Sequence, residues 1–360
     1  MQICIIGAGN IGTQFAAVFA AKGHKVNVFT SKPHLFDGKI EVINEYGNII
    51  EGSINTATND LEEAVKGSNI IFVTYPAFKL RQLSNDLLPH IESGMQICVV
   101  PGTGGAEFAF DKCIKAGAKL MGLQRVPSVA RLEEYGKRVR AEGLRSELHL
   151  ASVDPDTAVK AAAVFEEVWG ITCTPLPNYL NVTLTPSNPI LHTTRLRTLF
   201  EDYSEGKFYE KNPLFYGEWS DRSSELLIAC DEELQQICRK MSALDLSYVR
   251  SLKLHYESDT IEAMTKKISS ISSLHNLRSP MVETEKGWIP DFDSRYFTAD
   301  FPFGLGLIEQ FADIVGEKAK NIRETMKWYR TVTNDSSGLL LSDYGIRTVD
   351  DIYSLYGRNV

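Results

Sequence analysis

Hydrophobic residues in the first half of the chain fall in short, nearly continuous runs, which is typical of strands that are buried on both faces. The predicted strands cover residues 3–6, 25–29, 69–74, 96–100, 119–123 and 147–153, and a final strand begins near Thr172. Amphipathic or alanine-rich stretches of helical length lie between several of them, as in residues 13–22 and 155–168. This alternation predicts an α/β domain with a doubly wound parallel sheet.

The strand signals fade after Asn178, and apolar residues then recur at helical spacing. The predicted helices cover residues 188–200, 225–241, 260–270, 305–315 and 318–329. A chain of 360 residues is long for a single hydrophobic core. We therefore predict two domains, residues 1–177 with the parallel sheet and residues 178–360 as an all-helical domain.

A glycine-rich turn, Gly-Ala-Gly-Asn-Ile-Gly, joins the first predicted strand to the first helix. Strand, glycine turn and helix in this order form the pyrophosphate site of a dinucleotide, where the helix N-terminus offers free N–H groups. Gly7 permits the sharp turn, Gly9 lets the backbone approach the pyrophosphate, and Gly12 lets the helix pack closely on the strand. The predicted cofactor-binding residues of this turn are Gly7, Gly9, Asn10, Ile11 and Gly12. The N-terminal domain is therefore predicted to be Rossmann-type.

The residues after the second strand bear on which nicotinamide cofactor fits. Sites for NAD usually place an acidic residue there to hold the ribose hydroxyls. This chain has Thr30, Ser31 and Lys32, whose hydroxyls and ammonium group could bind a 2′-phosphate instead. The sequence therefore favours NADP(H), and NAD(H) stays open because Asp37 could reach the ribose.

Loops at the carboxyl ends of parallel strands line the ligand crevice of such a sheet. On that ground Pro76 and Gly102 are expected near the nicotinamide, although both also serve to turn the chain. A basic segment, residues 125–145, follows the strand at 119–123. Most of its cations predict a solvated face, whereas Arg125 and Arg131 follow a strand end and are candidates to bind a substrate carboxylate.

Composition and charge exclude several classes of function. The net charge of −8 disfavours a nucleic-acid partner, and no apolar run approaches the roughly 20 residues that span a bilayer. A first strand that starts at residue 2 predicts no signal peptide. The six cysteines include no CxxC pair, and Cys4 and Cys98 lie inside apolar strands. We expect a cytoplasmic protein without a structural metal site.

Three segments of the second half carry a specific resemblance. The run from Leu184 to His192, LTPSNPILH, contains Asn-x-x-x-His at a predicted helix start. The run from Phe215 to Trp219, FYGEW, precedes an acidic helix, and the run from Ser294 to Asp300 reads SRYFTAD. Together with the glycine-rich loop after the strand at 96–100, these segments resemble the opine dehydrogenases, the octopine/nopaline dehydrogenase-like family.

The resemblance implies a reaction and roles for residues. Family members condense an amino acid with a 2-keto acid such as pyruvate and reduce the product to a secondary-amine dicarboxylate. The resemblance implies that His192 is the catalytic acid/base, that Asp300 is its carboxylate partner and that Asn188 positions substrate. A carboxylate beside a histidine fixes its tautomer and favours its protonated form. Arg295 is a candidate to bind a substrate carboxylate, with a structural ion pair as the alternative.

Two other functions remain open on sequence alone. A ketopantoate reductase-like enzyme shares the predicted architecture but uses a lysine as its central acid, and no lysine lies between Asn188 and His192. A non-catalytic NADP(H)-binding sensor would not need both His192 and Asp300. The predicted partners are therefore small molecules, an amino acid and a 2-keto acid. The sequence leaves open whether the chain forms a homodimer.

Overall fold

The computed structural model describes residues 1–357, and contacts divide these into two compact units, residues 1–183 and residues 184–357. The sequence places the domain boundary at residue 177, and that boundary stays a prediction. None of the helices within residues 1–357 combines the length and the apolar character needed to cross a membrane.

The first unit alternates strands and helices. Its strands are β1 Gln2–Ile6, β2 Lys25–Phe29, β3 Lys39–Asn44, β4 Ile49–Ser53, β5 Thr56–Thr58, β6 Ile70–Val73, β7 Gln96–Val99, β8 Lys119–Leu123, β9 Val129–Glu134, β10 Arg138–Glu142, β11 Glu147–Ser152 and β12 Thr172–Pro175. Its helices are α1 Asn10–Ala21, α2 Leu61–Val65, α3 Ala77–Leu87, α4 Ala106–Ala109, α5 Asp111–Lys115, α6 Pro155–Trp169 and α7 Leu180–Thr183.

Eight of these strands form one sheet in the order β12-β11-β8-β7-β6-β1-β2-β5. All its pairs are parallel except β8 with β11. The strand order reverses direction at β1, whose neighbours are β2 and β6, and ligands of such sheets bind at this switch point. The predicted α/β class with a doubly wound parallel sheet is confirmed, and the antiparallel pair of β8 with β11 was not predicted.

A second sheet of four strands, in the order β4-β3-β10-β9, was not predicted. Most of the basic segment forms the hairpin of β9 and β10, and the side chains of Lys137, Arg138 and Arg140 are 43–45% exposed, as a solvated face predicts. This sheet packs on α1, and at Gly52 of β4 an added Cβ would lie only 2.1 Å from the carbonyl oxygen of Ala17. Helix α1 is thus covered on the side that faces away from β1.

Aromatic rings fill the core between the large sheet and its helices. Phe15 and Phe19 of α1 contact Phe72 of β6 and Phe165 of α6, with ring centroids 4.8–6.3 Å apart. Edge and tilted contacts at these distances stabilise a core beyond the area that they bury. Cys4 and Cys98 are fully buried in β1 and β7, as their place in apolar strands predicts.

The second unit is mainly helical. Its helices are α8 Leu191–Leu199, α9 Asp221–Lys240, α10 Leu252–Tyr256, α11 Ile261–Ser269, α12 Arg295–Thr298, α13 Gly306–Val315, α14 Lys320–Thr333 and α15 Val349–Tyr356. The prediction of an all-helical domain is wrong in one respect, because β13 Met281–Thr284 and β14 Gly287–Pro290 form an antiparallel hairpin.

Helix α9 is the centre of this unit. It packs on α8, α11, α13 and α14, and its apolar stripe is fully buried at Leu227, Cys230, Leu234 and Ile237. Its N-terminus is capped by Ser220, whose side chain accepts a hydrogen bond from the amide of Ser223. The helix predicted from Glu225 begins four residues earlier, at Asp221, because this cap lies outside the apolar pattern.

A buried carboxylate on α9 makes the stability of this unit depend on pH. Asp231 is 2% exposed and accepts a hydrogen bond from the amide of Leu252, at 2.7 Å. Burial raises the pKa of Asp231 to about 6, whereas an unfolded aspartate titrates near 4. Stability therefore falls as the pH rises from roughly 4 to 6, and above pH 6 the whole penalty of the buried charge is present.

We expect Asp231→Asn to stabilise the protein above pH 6, by about 1–3 kcal/mol. The asparagine removes the charge and keeps an oxygen for the amide of Leu252. Thermal melts from pH 4 to pH 8 should show a gain in Tm that grows with pH. Asp245→Asn is the control, because hydrogen bonds from Ser247 lower the pKa of Asp245. A gain that is equal at pH 4 and pH 8 would contradict the assignment.

Candidate active site

The glycine turn after β1 has the local geometry that its sequence predicts. Gly7 has φ = +101°, which favours glycine, and an added Cβ would lie 2.7 Å from Thr74 Oγ1. At Gly12 an added Cβ would lie 1.7 Å from the carbonyl oxygen of Gly7, so only glycine allows α1 to pack this closely. Gly9 differs, because no protein atom lies within 4 Å of its added Cβ. The protein itself leaves that space open.

The start of α1 fits the pyrophosphate of a dinucleotide. The N-cap residue Gly9 offers no side-chain cap, and no acidic residue lies in the first turn. The first amide groups of the helix and its partial positive charge are therefore available to an anion. The side chain of Asn10 accepts a hydrogen bond from the amide of Leu132, at 2.8 Å, and so ties α1 to β9. Ile11 is partly buried.

The three residues after β2 do not have equivalent positions. Thr30 is 2% exposed. Its hydroxyl lies 2.7 Å from the phenol of Tyr135 and accepts a hydrogen bond from the amide of Lys32. Thr30 therefore shapes the turn, and its predicted role as a phosphate ligand gains no support from this geometry. Ser31 and Lys32 are exposed, and the Lys32 ammonium lies 5.4 Å from the centre of the Tyr135 ring.

The loops after the next strands place the remaining candidates of the first unit. Pro76 is the N-cap residue of α3, directly after β6. Gly102 is buried, and an added Cβ would lie 2.6 Å from Gly122 Cα and 2.8 Å from the Tyr179 hydroxyl. A packing role therefore accounts for this glycine, whether or not a cofactor approaches it. Arg125 lies just beyond β8 and is partly exposed.

In the second unit, His192 and Asp300 lie together although 108 residues separate them. Nδ1 of His192 is 2.8 Å from Oδ2 of Asp300, and the two side chains are only 10% and 17% exposed. A carboxylate accepts hydrogen bonds, so the proton of the neutral imidazole lies on Nδ1 and Nε2 carries the lone pair. The pairing that the sequence predicts is present, and the catalytic roles stay a prediction.

Two close-packed turns bring the pair together. His192 lies in the first turn of α8, which starts at Leu191 rather than Asn188 because Pro186 and Pro189 keep the preceding residues in turns. Asp300 immediately precedes the π-helical turn Phe301–Leu305. An added Cβ at Gly304 would lie 3.0 Å from the ring of Pro189. Glycine at this position therefore lets the two turns approach each other.

Tyr216 completes the contacts of His192 and was not predicted. Its hydroxyl lies 2.9 Å from Nε2 of the imidazole. The ring of His192 also meets Phe215 and Tyr296 edge-on, with centroids 5.7 and 4.7 Å away. The sequence signal for Tyr216 was its aromatic segment, Phe215 to Trp219, which carried the resemblance without a role for any one residue.

Arg195, one helical turn after His192, holds that aromatic segment in place and was also missed. It is 3% exposed, and its guanidinium donates to the carbonyl oxygens of Leu214, Phe215 and Glu218 and to the hydroxyl of Ser223. Burial lowers the pKa of Arg195 to about 10, so it stays a cation near neutral pH. Helix α8 thus positions His192 and, through Arg195, the chain that carries Tyr216.

The other predicted site residues of the second unit lie near His192 and Asp300. Asn188 is exposed in the turn before α8, and its carbonyl oxygen accepts a hydrogen bond from the amide of His192. Arg295 is exposed in the first turn of α12, with its guanidinium 5.8 Å from the ring of Tyr296.

Within residues 1–357 no group of three or more His, Cys, Asp or Glu side chains is arranged to hold a metal ion.

Two family models match this chain. Residues 175–333 match the alpha-helical domain of NAD/NADP octopine/nopaline dehydrogenase. Residues 2–107 match the N-terminus of NAD-dependent glycerol-3-phosphate dehydrogenase. The first match contains His192, Tyr216 and Asp300, and the second contains the glycine turn.

Similar proteins agree with these matches. Tauropine dehydrogenase of Arabella iricolor is 29% identical over 75% of this chain and 72% of its own length. Opine dehydrogenase of Haliotis discus hannai is 28% identical over 76% of this chain and 72% of its own length. A structure of octopine dehydrogenase with NADH and agmatine shares the fold, with a TM-score of 0.81 at 22% identity over 98% of this chain and 97% of that one. The chain is therefore an NAD(P)-dependent oxidoreductase that is similar to the opine dehydrogenases, and its residues 175–333 match the helical domain of that family.

Proposed function

We propose that this enzyme condenses an amino acid with a 2-keto acid such as pyruvate and reduces the product with NADPH to an N-(carboxyalkyl)amino acid. The observation that carries this proposal is the contact of His192 with Asp300, at 2.8 Å in a largely buried position. Condensation and reduction require a group that exchanges protons near neutral pH, and a histidine held by a carboxylate suits that task.

The glycine turn would hold the pyrophosphate of the cofactor on the amide groups of Gly9, Asn10 and Ile11. When bound, the reduced nicotinamide supplies the hydride for the C=N bond. Ser31 and Lys32 are the exposed groups that would meet a 2′-phosphate. Pro76 starts α3 at the carboxyl end of β6, where it would lie near the nicotinamide.

His192 and Asp300 would carry out the proton transfers that condensation requires. The amine attacks the keto carbon to form the C–N bond, and the carbonyl oxygen leaves as water after it has gained two protons. The amine supplies one of these protons and the enzyme supplies the other. Asp300 would keep a proton on Nδ1 of His192, so proton exchange would take place at Nε2.

Two arginines are proposed for the carboxylates of the substrates. Arg295 is exposed in the first turn of α12, which ends two residues before Asp300. A guanidinium there could hold a carboxylate by two parallel hydrogen bonds. Arg125 is a second candidate in the first unit, and Asn188 would orient substrate from the turn before α8.

The reaction is tested by following the absorbance of NADPH in mixtures of protein, pyruvate and a panel of amino acids. We expect NADPH consumption only when both an amine and a keto acid are present. Consumption with a keto acid alone would instead support a ketopantoate reductase-like enzyme, although its central lysine is absent between Asn188 and His192. Tight NADPH binding without turnover would support a sensor.

We expect Lys32→Asp to lower the NADPH-to-NADH ratio of kcat/KM by about 10- to 100-fold. The substitution replaces a cation that would meet the 2′-phosphate with an anion that repels it. Lys25→Asp is the matched control, since it makes the same charge change at the other end of β2. An unchanged ratio would exclude the turn at Thr30 to Lys32 as the selector of the cofactor.

A further inference from the structure

Both ring nitrogens of His192 have partners within the protein. Nδ1 contacts Asp300 and Nε2 lies 2.9 Å from the hydroxyl of Tyr216. The residue as a whole is 8% exposed, and aromatic rings surround the imidazole. In this arrangement the imidazole has no further nitrogen to offer a substrate, and any proton that leaves Nε2 meets the oxygen of Tyr216 first.

We propose that Tyr216 is a catalytic residue, the group that passes the proton from His192 to the oxygen of the condensing substrate. The inference rests on the proposed reaction, in which His192 and Asp300 act as the acid/base pair. It turns that pair into a chain of three groups: the carboxylate of Asp300, the imidazole of His192 and the phenol of Tyr216.

The transfer balances without any added reactant. In the imidazolium form, Nε2–H of His192 donates to the oxygen of Tyr216, and the phenol O–H points to the substrate. As the C–O bond of the carbinolamine breaks, the phenol proton moves to the departing oxygen and completes a water molecule. The Nε2 proton moves to the phenol oxygen at the same time, and the lone pair of the substrate nitrogen forms the C=N bond. His192 then takes its proton back from solvent.

The surroundings of Tyr216 fit a phenol that stays neutral throughout. Its ring stacks on Trp219, with centroids 6.4 Å apart, and meets Phe215 edge-on. Burial raises the pKa of Tyr216 well above its ordinary value, and the neighbouring Tyr296, Tyr256 and Asp300 raise it further. The cation of Arg295 acts in the opposite direction.

A phenolate is therefore disfavoured at Tyr216, which requires that the phenol receive one proton as it gives another. Two hydrogen bonds in sequence meet that requirement, because the phenol oxygen accepts from Nε2–H of the imidazolium while its own O–H donates to the substrate oxygen. The rigid position of the segment from Phe215 to Glu218, held by Arg195, keeps the phenol on the imidazole.

The test is Tyr216→Phe, which keeps every ring contact and removes only the hydroxyl. We expect kcat for condensation to fall about 100-fold or more, while the Kd for NADPH and the KM for the keto acid stay within about threefold. Tyr209→Phe is the matched control, because it removes a phenol that donates to the carboxylate of Asp202 in the same unit. The control should keep the parent kcat.

The outcomes distinguish the proton relay through Asp300, His192 and Tyr216 from the reaction on which that relay rests. A kcat of Tyr216→Phe within about threefold of the parent, or above it, would overturn the relay and leave the proposed function intact. A parent protein that condenses no amine with any keto acid would overturn the proposed function itself.

If the variant fails to fold, the parent enzyme still decides the question. Single-turnover oxidation of NADPH is followed in mixtures of H2O and D2O. We expect a curved dependence on the deuterium fraction, because two protons move together. A linear dependence would overturn the relay.

Discussion

Replacing His192 with glutamine is expected to lower kcat by about 10³-fold or more, with little change in the affinity for NADPH. General acid–base catalysis by one positioned side chain contributes about 10²–10⁴-fold, and glutamine has no proton to exchange near neutral pH. Its amide can still donate to Asp300, so that carboxylate is not left without a partner. The measurements are kcat at saturating substrates and NADPH binding by fluorescence titration.

The control for this prediction is His275→Gln, an exposed histidine of the same unit that contacts the carbonyl oxygen of Ser269. It should keep the parent kcat. A His192→Gln variant that retains a tenth of the parent kcat would remove His192 from the role of acid/base. In that case the contact with Asp300 would be structural, and another group would have to supply the proton.

The elements of the first unit that the sequence predicts best are those with the simplest environment. Strands β1, β6 and β7 are buried on both faces, so each reads as an apolar run. Strands β9 and β10 were missed because only one face is covered and charged residues alternate with buried ones, as at Val139 and Ala141. The pairing of β10 with β3 joins residues about a hundred positions apart, which no local sequence pattern can indicate.

The residues around His192 likewise include some that the sequence predicts and some that it does not. His192 and Asp300 were found through short segments with fixed spacing, which is information about a family rather than about packing. Arg195 was missed because a charged residue within a helix is expected at the surface. Its burial depends on three carbonyl oxygens of a segment about twenty residues away. The role of Tyr216 likewise depends on that distant segment and on where Arg195 holds it.

We expect Arg195→Met to have the largest effect on stability, about 3 kcal/mol. Methionine fills a similar volume but leaves the carbonyl oxygens of Phe215 and Glu218 without the donor that Arg195 supplies, while that of Leu214 keeps only a 3.4 Å hydrogen bond from the amide of Glu218. Each buried acceptor that loses its partner costs about 1–3 kcal/mol, and removal of the buried charge offsets part of that cost. The measurement is the urea midpoint from tryptophan fluorescence, because Trp219 lies 5.4 Å from the guanidinium.

The same substitution at Arg197 is the matched control on the same helix. Arg197 lies over the ring of Trp328, 5.4 Å from its centre, and its nearest carboxylate oxygen, on Glu201, is 3.8 Å away. We expect Arg197→Met to cost much less than Arg195→Met, because Arg197 makes one partly exposed ion pair, and such pairs near the surface contribute about 0–1 kcal/mol. Where Arg195→Met still folds, its kcat should fall as well, since the segment that holds Tyr216 on His192 has lost its anchor. Equal shifts for the two variants would show that the four hydrogen bonds of Arg195 do not hold that segment.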